Sequence, residues 1–147
     1  MGVVIVTGGT FGLGQSITVE LARRGHQVIA FGLAQPQVSS TAQGLDSVQQ
    51  ELAQAGLTAD VLEADVSSAA DVQRVVAHAL SRFGAIHGLV NNAAIGPLGT
   101  VLTTEESVFE KIFDVNVKGT YLMSRAVIPH MAQAGGGSIV NIGSGAG

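Results

Sequence analysis

The sequence predicts an α/β domain built on an open, doubly wound parallel sheet. Short Val- and Ile-rich runs alternate with longer stretches of helical period along the chain. Most of the runs lack in/out alternation, as strands covered on both faces do. A glycine-rich turn joins the first run directly to the first helical stretch. The composition agrees with this. Of 147 residues, 46% are apolar and 12% charged, enough for one domain that buries a core without a disulfide or metal. With 20 glycines but only 3 prolines and a net charge of −4, the chain is neither collagenous nor disordered.

Five apolar runs are the expected strands: residues 3–6, 28–31, 57–62, 89–92 and 138–142. Between the first two, residues 15–24 carry Ile17, Leu21 and Ala22 on one face. They end in Arg23 and Arg24 before Gly25, a basic last turn and a glycine stop. Residues 32–44, rich in Gln and Ser, read as an exposed loop of unusual length. Leu45, Val48 and Leu52 mark a second helix that stops near Gly56. The third is the most regular, with Val72, Val75, Val76, Ala79, Leu80 and Phe83 in one stripe and Ser67 or Ser68 as N-cap. A long pattern from about 104 to 131 holds Phe109, Ile112, Phe113, Leu122, Met123 and Val127. Pro129 predicts a kink or an early end in its last turns. The order is β-α-β-α-β-α-β-α-β, with right-handed crossovers expected.

Charge and cysteine usage exclude several partners. Seven basic against eleven acidic residues, with no basic run longer than Arg23 and Arg24, leave no nucleic-acid footprint. No apolar stretch approaches the roughly 20 residues that span a bilayer, and no charged leader precedes the first strand. The absence of cysteine suits a reducing compartment, so a cytoplasmic protein is expected. His26, His78, His87 and His130 share no metal-ligand spacing, so no metal site is expected and surface or cap roles are. Asp46, Glu51, Asp60 and Glu63 read as solvated carboxylates. No G-x-S-x-G elbow supports a hydrolytic triad.

The strongest local signal is Thr7, Gly8, Gly9, Thr10, Phe11, Gly12, Leu13 and Gly14, which close the first strand and open the first helix. Glycines there let backbone N–H groups approach an anion at the helix N-terminus, the phosphate-binding place of a doubly wound sheet. Position 17 is Ile, so the literal G-x-G-x-x-G fingerprint fails. A dinucleotide site usually places an acid about 20 residues further on for the ribose 2′-hydroxyl. Here Gly32 and Leu33 stand in that neighbourhood, and no Asp or Glu occurs between Glu20 and Asp46. Gly32 leaves room for a 2′-phosphate, without a nearby Arg or Lys to neutralise it. NAD and NADP both remain open, with a slight lean to NADP because the missing carboxylate removes a repulsion.

Taken together these residues resemble the N-terminal portion of the short-chain dehydrogenase/reductase family, and the resemblance covers the whole chain. Five of its motifs occur in order. They are T-G-x-x-x-G-x-G at residues 7–14 and Asp65 followed by Val66 after the third strand. Next come Asn91, Asn92, Ala93 and Ala94, with Ala94 in place of a family Gly. Asn116 stands beside Val115 in the long helical pattern, and Ser144 follows the fifth strand.

The resemblance implies a Rossmann-type NAD(P)-binding domain over residues 1–147 with five strands present. It implies an oxidoreductase that moves a hydride between a nicotinamide and a carbonyl or alcohol. By the same resemblance, Gly8, Thr10, Phe11, Gly12, Leu13 and Gly14 hold the pyrophosphate side, with Gly32 and Leu33 at the adenosine ribose. Asp65 reads the adenine amino group beside Val66, and Asn92, Ala93, Ala94 and Val115 line the cofactor. The implied catalytic residues are Ser144, bonding the substrate oxygen, and Asn116, holding a water in the proton relay. A homo-oligomer paired through the long helix is implied as well.

The family's proton donor is a Tyr followed four residues later by a Lys, beyond the position of Ser144. The only tyrosine is Tyr121, with Arg125 four positions on. It is expected to be a partly buried aromatic with a wet hydroxyl rather than the acid. The expectation is therefore a C-terminally incomplete chain that lacks the Tyr/Lys pair, the family's last strands and its substrate segment, and that is inactive by itself. Its last strand would then be an unprotected edge that favours association. A non-catalytic dinucleotide-binding or regulatory module is the alternative, and a purely structural domain is a third. Epimerase relatives are disfavoured by the T-G-x-x-x-G-x-G spacing.

Overall fold

In the computed structural model, which describes residues 1–34 and 44–145, five strands form one parallel sheet in the order β3-β2-β1-β4-β5. The elements are β1 (Val3–Thr7), α1 (Gly12–Arg23), β2 (Gln27–Gly32), α2 (Leu45–Gln54), β3 (Asp60–Glu63), α3 (Ala69–Phe83), β4 (Gly88–Asn91), α4 (Glu106–Phe113), α5 (Gly119–Gln133) and β5 (Ser138–Asn141). The fold is Rossmann-like, as the alternation of apolar runs and helical stretches predicts.

The continuous Val/Ile runs have the expected cause. Along β1, Val3 and Ile5 enter one core with Val72, Val75, Ala79, Met123 and Val127 from α3 and α5. Val4 and Val6 enter the opposite core with Val19, Val48 and Leu52 from α1 and α2. All five β1 residues are buried, so neither face can carry a polar residue except at Thr7, where the strand ends. β5 stands at the edge of the sheet and is mostly exposed.

Most boundaries lie within a few residues of expectation. Ser68 is the N-cap of α3, accepting the Asp71 N–H at 3.3 Å, and Gly84 closes that helix in the left-handed conformation. The run expected at 57–62 becomes a strand only from Asp60, and the greater part of the long loop expected after Gly32, residues 35–43, lies outside the described residues. Pro129 does not stop α5, which runs on to Gln133. The break comes earlier, in a π-helical segment (Asp114–Lys118) between α4 and α5.

Candidate functional site

From β1 the chain moves outward through β2 and β3, then returns to the other side of β1 with β4 and β5. The carboxyl ends of β1 and β4 therefore meet at a reversal of strand order, where open α/β sheets place their ligands. The turn after β1 lies there, and its glycines are required. Gly8 and Gly12 take φ of 60° and 53°, the left-handed region that side chains resist. A Cβ on Gly14 would overlap the Gly8 carbonyl oxygen, and one on Gly8 would come within 2.9 Å of Ala93 Cα.

Hydrogen bonds fix this turn from three sides. The Thr7 hydroxyl accepts the N–H groups of Asn92 at 3.0 Å and Ala93 at 2.9 Å. The Asn92 amide donates to the carbonyls of Thr7 and Gly8, both at 3.1 Å. The buried Thr18 hydroxyl lies 2.9 Å from the carbonyl oxygens of both Gly9 and Gly14, and Gly9 N–H donates to Phe31 at 3.1 Å. Asn92 thus acts on the site by holding two carbonyls, with its own side-chain donor spent on them.

The helix beyond the turn is open at its start. Phe11 occupies the N-cap position of α1 and supplies no side-chain cap. The first i→i−4 bond is made by Gln15 to Phe11, so the N–H groups of Gly12, Leu13 and Gly14 precede the intrahelical ladder. Those donors, the helix dipole and the absence of a Cβ on Gly12 and Gly14 suit a phosphate group. The residues present fit a dinucleotide pyrophosphate on these grounds.

Next to β3 the Asp65 turn is equally well determined. Asp65 Oδ1 accepts from the N–H and hydroxyl of Ser67 at 2.8 and 2.6 Å. Its own N–H donates to Asp71 Oδ2 at 2.8 Å. That bond, followed by Arg74 at 3.2 Å, holds the Asp71 carboxyl below the usual carboxylate range. Asp65 Oδ2 is left facing Lys111 at 3.9 Å and is the oxygen open to an amino group. Val66 and Val115 are buried, and both contribute side chains to the core packed between the sheet and α3 and α5. Leu13 and Leu33 are exposed, as is Phe11 to a smaller degree.

The two expected catalytic residues are placed differently. Asn116 lies inside the π-helical segment, where its Oδ1 accepts Ile95 N–H and its Nδ2 donates to the Ile95 carbonyl, both at 2.9 Å. Its side chain is spent on the backbone after β4 and holds that segment in place. Ser144 is exposed, three residues beyond the end of β5. The segment leading to it is tied down by Ile142 N–H donating to the Asn91 carbonyl at 2.9 Å. Ala94 is exposed, and no non-glycine residue has positive φ among the described residues, so its Cβ in place of a glycine is accommodated.

Tyr121 is exposed rather than partly buried, and its hydroxyl accepts from Arg125 at 2.8 Å on the outer surface of α5. Asp60 is not merely solvated, since His78 Nε2 lies 2.7 Å and Arg82 Nε 3.1 Å from its Oδ2. His87 accepts Val3 N–H at Nδ1, 3.1 Å away. Sequence reasoning passed over Thr18 and Asp71, gave Asn91 no role beyond its motif, and offered Ser67 only as a helix cap. Asn91 is buried and donates to Asn141 Oδ1 at 2.8 Å and Ser124 Oγ at 3.2 Å, joining β4, β5 and α5. The signal for Ser67 and Asp71 was available: a carboxylate followed two residues later by Ser is an Asx-turn pattern.

A glycine turn at the reversal point of a parallel sheet, opening a helix with no side-chain cap, is the arrangement of a Rossmann-like α/β protein. The short chain dehydrogenase family model matches residues 2–147, and the chain belongs to that family. It is 38% identical over 143 residues to dehydrogenase/reductase SDR family member 4 of Bos taurus, covering 97% of this chain and 49% of that protein. It is 40% identical over 150 residues to 2-(R)-hydroxypropyl-CoM dehydrogenase of Xanthobacter autotrophicus, covering 97% and 56%. Among solved structures, a variant of actinorhodin polyketide ketoreductase with NADPH is similar at a TM-score of 0.85 and 29% identity, over 97% of this chain and 53% of that one. The chain spans about half the length of the curated relatives it matches. No helix among the described residues is long and apolar enough to cross a membrane.

Proposed function

We propose that residues 1–147 form a single NAD(P)-binding Rossmann domain of an oxidoreductase that transfers a hydride between a nicotinamide cofactor and a small carbonyl or alcohol substrate. One observation carries the reading: the capless start of α1, with three unladdered N–H groups above glycines that admit no Cβ. Gly12, Leu13 and Gly14 would hold the pyrophosphate there. Asp65 Oδ2 would take the adenine amino group, and Asn92 would keep the turn in shape through the Thr7 and Gly8 carbonyls. When bound, the nicotinamide supplies or receives the hydride. Ser144 would donate to the substrate oxygen where negative charge develops, and Asn116 would fix the backbone at Ile95 that borders the site.

NADP is slightly favoured, since no Asp or Glu occurs between Glu20 and Asp46 to repel a 2′-phosphate. The same reading places the protein in the cytoplasm and pairs copies through the outer face of α4 and α5, where Phe109, Phe113, Val117 and Tyr121 are exposed. The proton is expected from a Tyr with a Lys four positions on, and the 147 residues contain no such pair. General acid–base catalysis contributes about 10²–10⁴-fold. The 147-residue polypeptide is therefore expected to bind dinucleotide and to reduce no carbonyl above background.

Isothermal titration with NAD⁺ and NADP⁺, beside a panel of carbonyls with NADH and NADPH, tests both halves. Heat of binding without turnover is the expected result. Failure of either dinucleotide to bind at millimolar concentration would overturn the reading, and turnover at ordinary enzymic rates would overturn the assignment of the missing acid.

A further inference from the structure

We infer that two copies of this chain bind each other knob into groove, an apolar turn before α4 of one copy seating between α3 and α5 of the other. The knob is the turn at residues 98–102. Leu98, Val101 and Leu102 stand at 104%, 94% and 92% of full exposure, where a turn tip ordinarily shows water a Gly, Asn, Asp or Ser. Hydrogen bonds keep this turn rigid. The Thr100 carbonyl accepts the N–H groups of Thr103 and Thr104 at 3.0 and 2.9 Å and the Thr104 hydroxyl at 2.8 Å. Thr100 N–H donates in turn to Thr103 Oγ1 at 2.9 Å. Apolar side chains held out on a fixed turn form a patch that loses little freedom when a partner covers it.

The groove offers about 380 Å³ between α3 and α5, lined by Leu122, Ala126 and Pro129 together with Arg125 and His130. Charge decides what fits it. α5 contains no Asp or Glu, and Arg125 meets the Tyr121 hydroxyl but no carboxylate among the described residues. Directly after the knob come Glu105 and Glu106, exposed and without an ion pair among the described residues. Between Arg82 and Glu105 the chain has no Asp, Glu, Lys or Arg. The knob is thus apolar surface followed by acid, and the groove is apolar surface bordered by base. Each copy carries both halves, so a two-fold pair seats both knobs at once and closes. The contact is small, which makes a weak, concentration-dependent pair. It differs from the outer face of α4 and α5, since Phe109, Phe113, Val117 and Tyr121 do not line the groove.

The test is sedimentation velocity of the 147-residue chain over a concentration series, with Val117→Asp present throughout to disable the outer face of α4 and α5. A monomer–dimer equilibrium is expected. Leu102→Ser should weaken the pair by about tenfold or more, the worth of one buried Leu. Residue 102 is exposed, so this variant should melt like its parent. Arg125→Glu and the double variant Glu105→Lys/Glu106→Lys should each lose self-association, because like charges then meet across the contact. Mixed in equal amounts, these two should pair at about the affinity of the parent, since both contacts of the mixed dimer again join opposite charges. Damage to either fold could not be cured by mixing.

A Val117→Asp chain that stays monomeric at millimolar concentration would overturn the inference and leave the outer face as the pairing surface. A dimer indifferent to Leu102→Ser would overturn it as well, and so would charge variants that fail to pair on mixing. Saturable binding of octanoate to a monomeric chain, lost in Arg125→Glu, would make the groove a small-ligand site instead.

Discussion

The turn between β1 and α1 and the segment that follows β5 both lie at the carboxyl ends of parallel strands, yet they are held by different means. Around the first, Thr7, Asn92 and Thr18 each bridge two backbone groups, and glycine contacts leave no slack for a side chain. Around the second, exposed strand residues lead to an exposed Ser144, and two of the bonds that steady them come from one residue. Asn91 accepts Ile142 N–H through its carbonyl and holds Asn141 through its amide. The glycine turn is over-determined by its neighbours. The last strand and Ile142 are hydrogen-bonded to β4 at the exposed edge of the sheet, and so this segment should tolerate change less evenly.

The comparison breaks most completely at Gly14. Gly14→Ala would press a methyl group into the Gly8 carbonyl oxygen, backbone against backbone, where no rotamer can relieve it. Overpacking of this kind costs about 1–3 kcal/mol, and the turn would move away from the three N–H donors. Dinucleotide affinity should fall by at least about 100-fold, since those donors act together with the helix dipole. Calorimetry with NADP⁺ and a thermal melt would measure both effects. Native-like affinity in Gly14→Ala would mean that the pyrophosphate sits elsewhere.

Asn116 sharpens the contrast from the other side. Asn116→Ala removes both bonds to Ile95 and leaves a backbone N–H and C=O to find other partners. A destabilisation of about 1–3 kcal/mol follows, readable as a lower midpoint in urea. Dinucleotide affinity should change less than threefold, because the glycine turn is held independently through Thr7 and Asn92. A tenfold loss of affinity with unchanged stability would instead place the Asn116 side chain against the cofactor.

The legibility of these regions from sequence follows the same division. The Val/Ile runs marked the strands because both faces of the sheet are covered, and the stripe of α3 appeared whole because only one of its faces is. The glycine turn was readable because its spacing is itself the constraint. The stretch from Glu106 to Gln133 was misjudged for a physical reason. A π-helical segment at Asp114–Lys118 inserts a residue that a 3.6-residue period cannot register, whereas Pro129 brings no early end, α5 running on to Gln133. The side-chain role of Asn116 was invisible for a related reason. Its partner, Ile95, is 21 residues away and is met through backbone atoms, which carry no residue signature.

The smallest expected effect concerns the adenine side and is a matter of pH. Asp71 lies outside every family motif quoted above, yet it receives the Asp65 N–H and so helps hold the turn that presents Asp65. That bond first, and Arg74 second, lower its pKa below the ordinary carboxylate value. A group whose folded pKa is depressed gives stabilisation that is fully present above the unfolded value, about 3.9 for Asp. The stabilisation disappears as pH falls through the lower folded value. Between pH 5 and 8 Asp71 should therefore contribute no slope, while below about pH 4 the Asp65 turn should loosen. Amide hydrogen exchange at Asp65 between pH 5 and pH 3, corrected for intrinsic rates, would detect it. Asp71→Asn keeps an oxygen acceptor but no charge, so it should protect Asp65 less at neutral pH and lose the acid dependence. Identical acid profiles for the parent and Asp71→Asn would show that the turn rests on Ser67 rather than on Asp71. The turn would then be held by the two bonds between Asp65 and Ser67 alone.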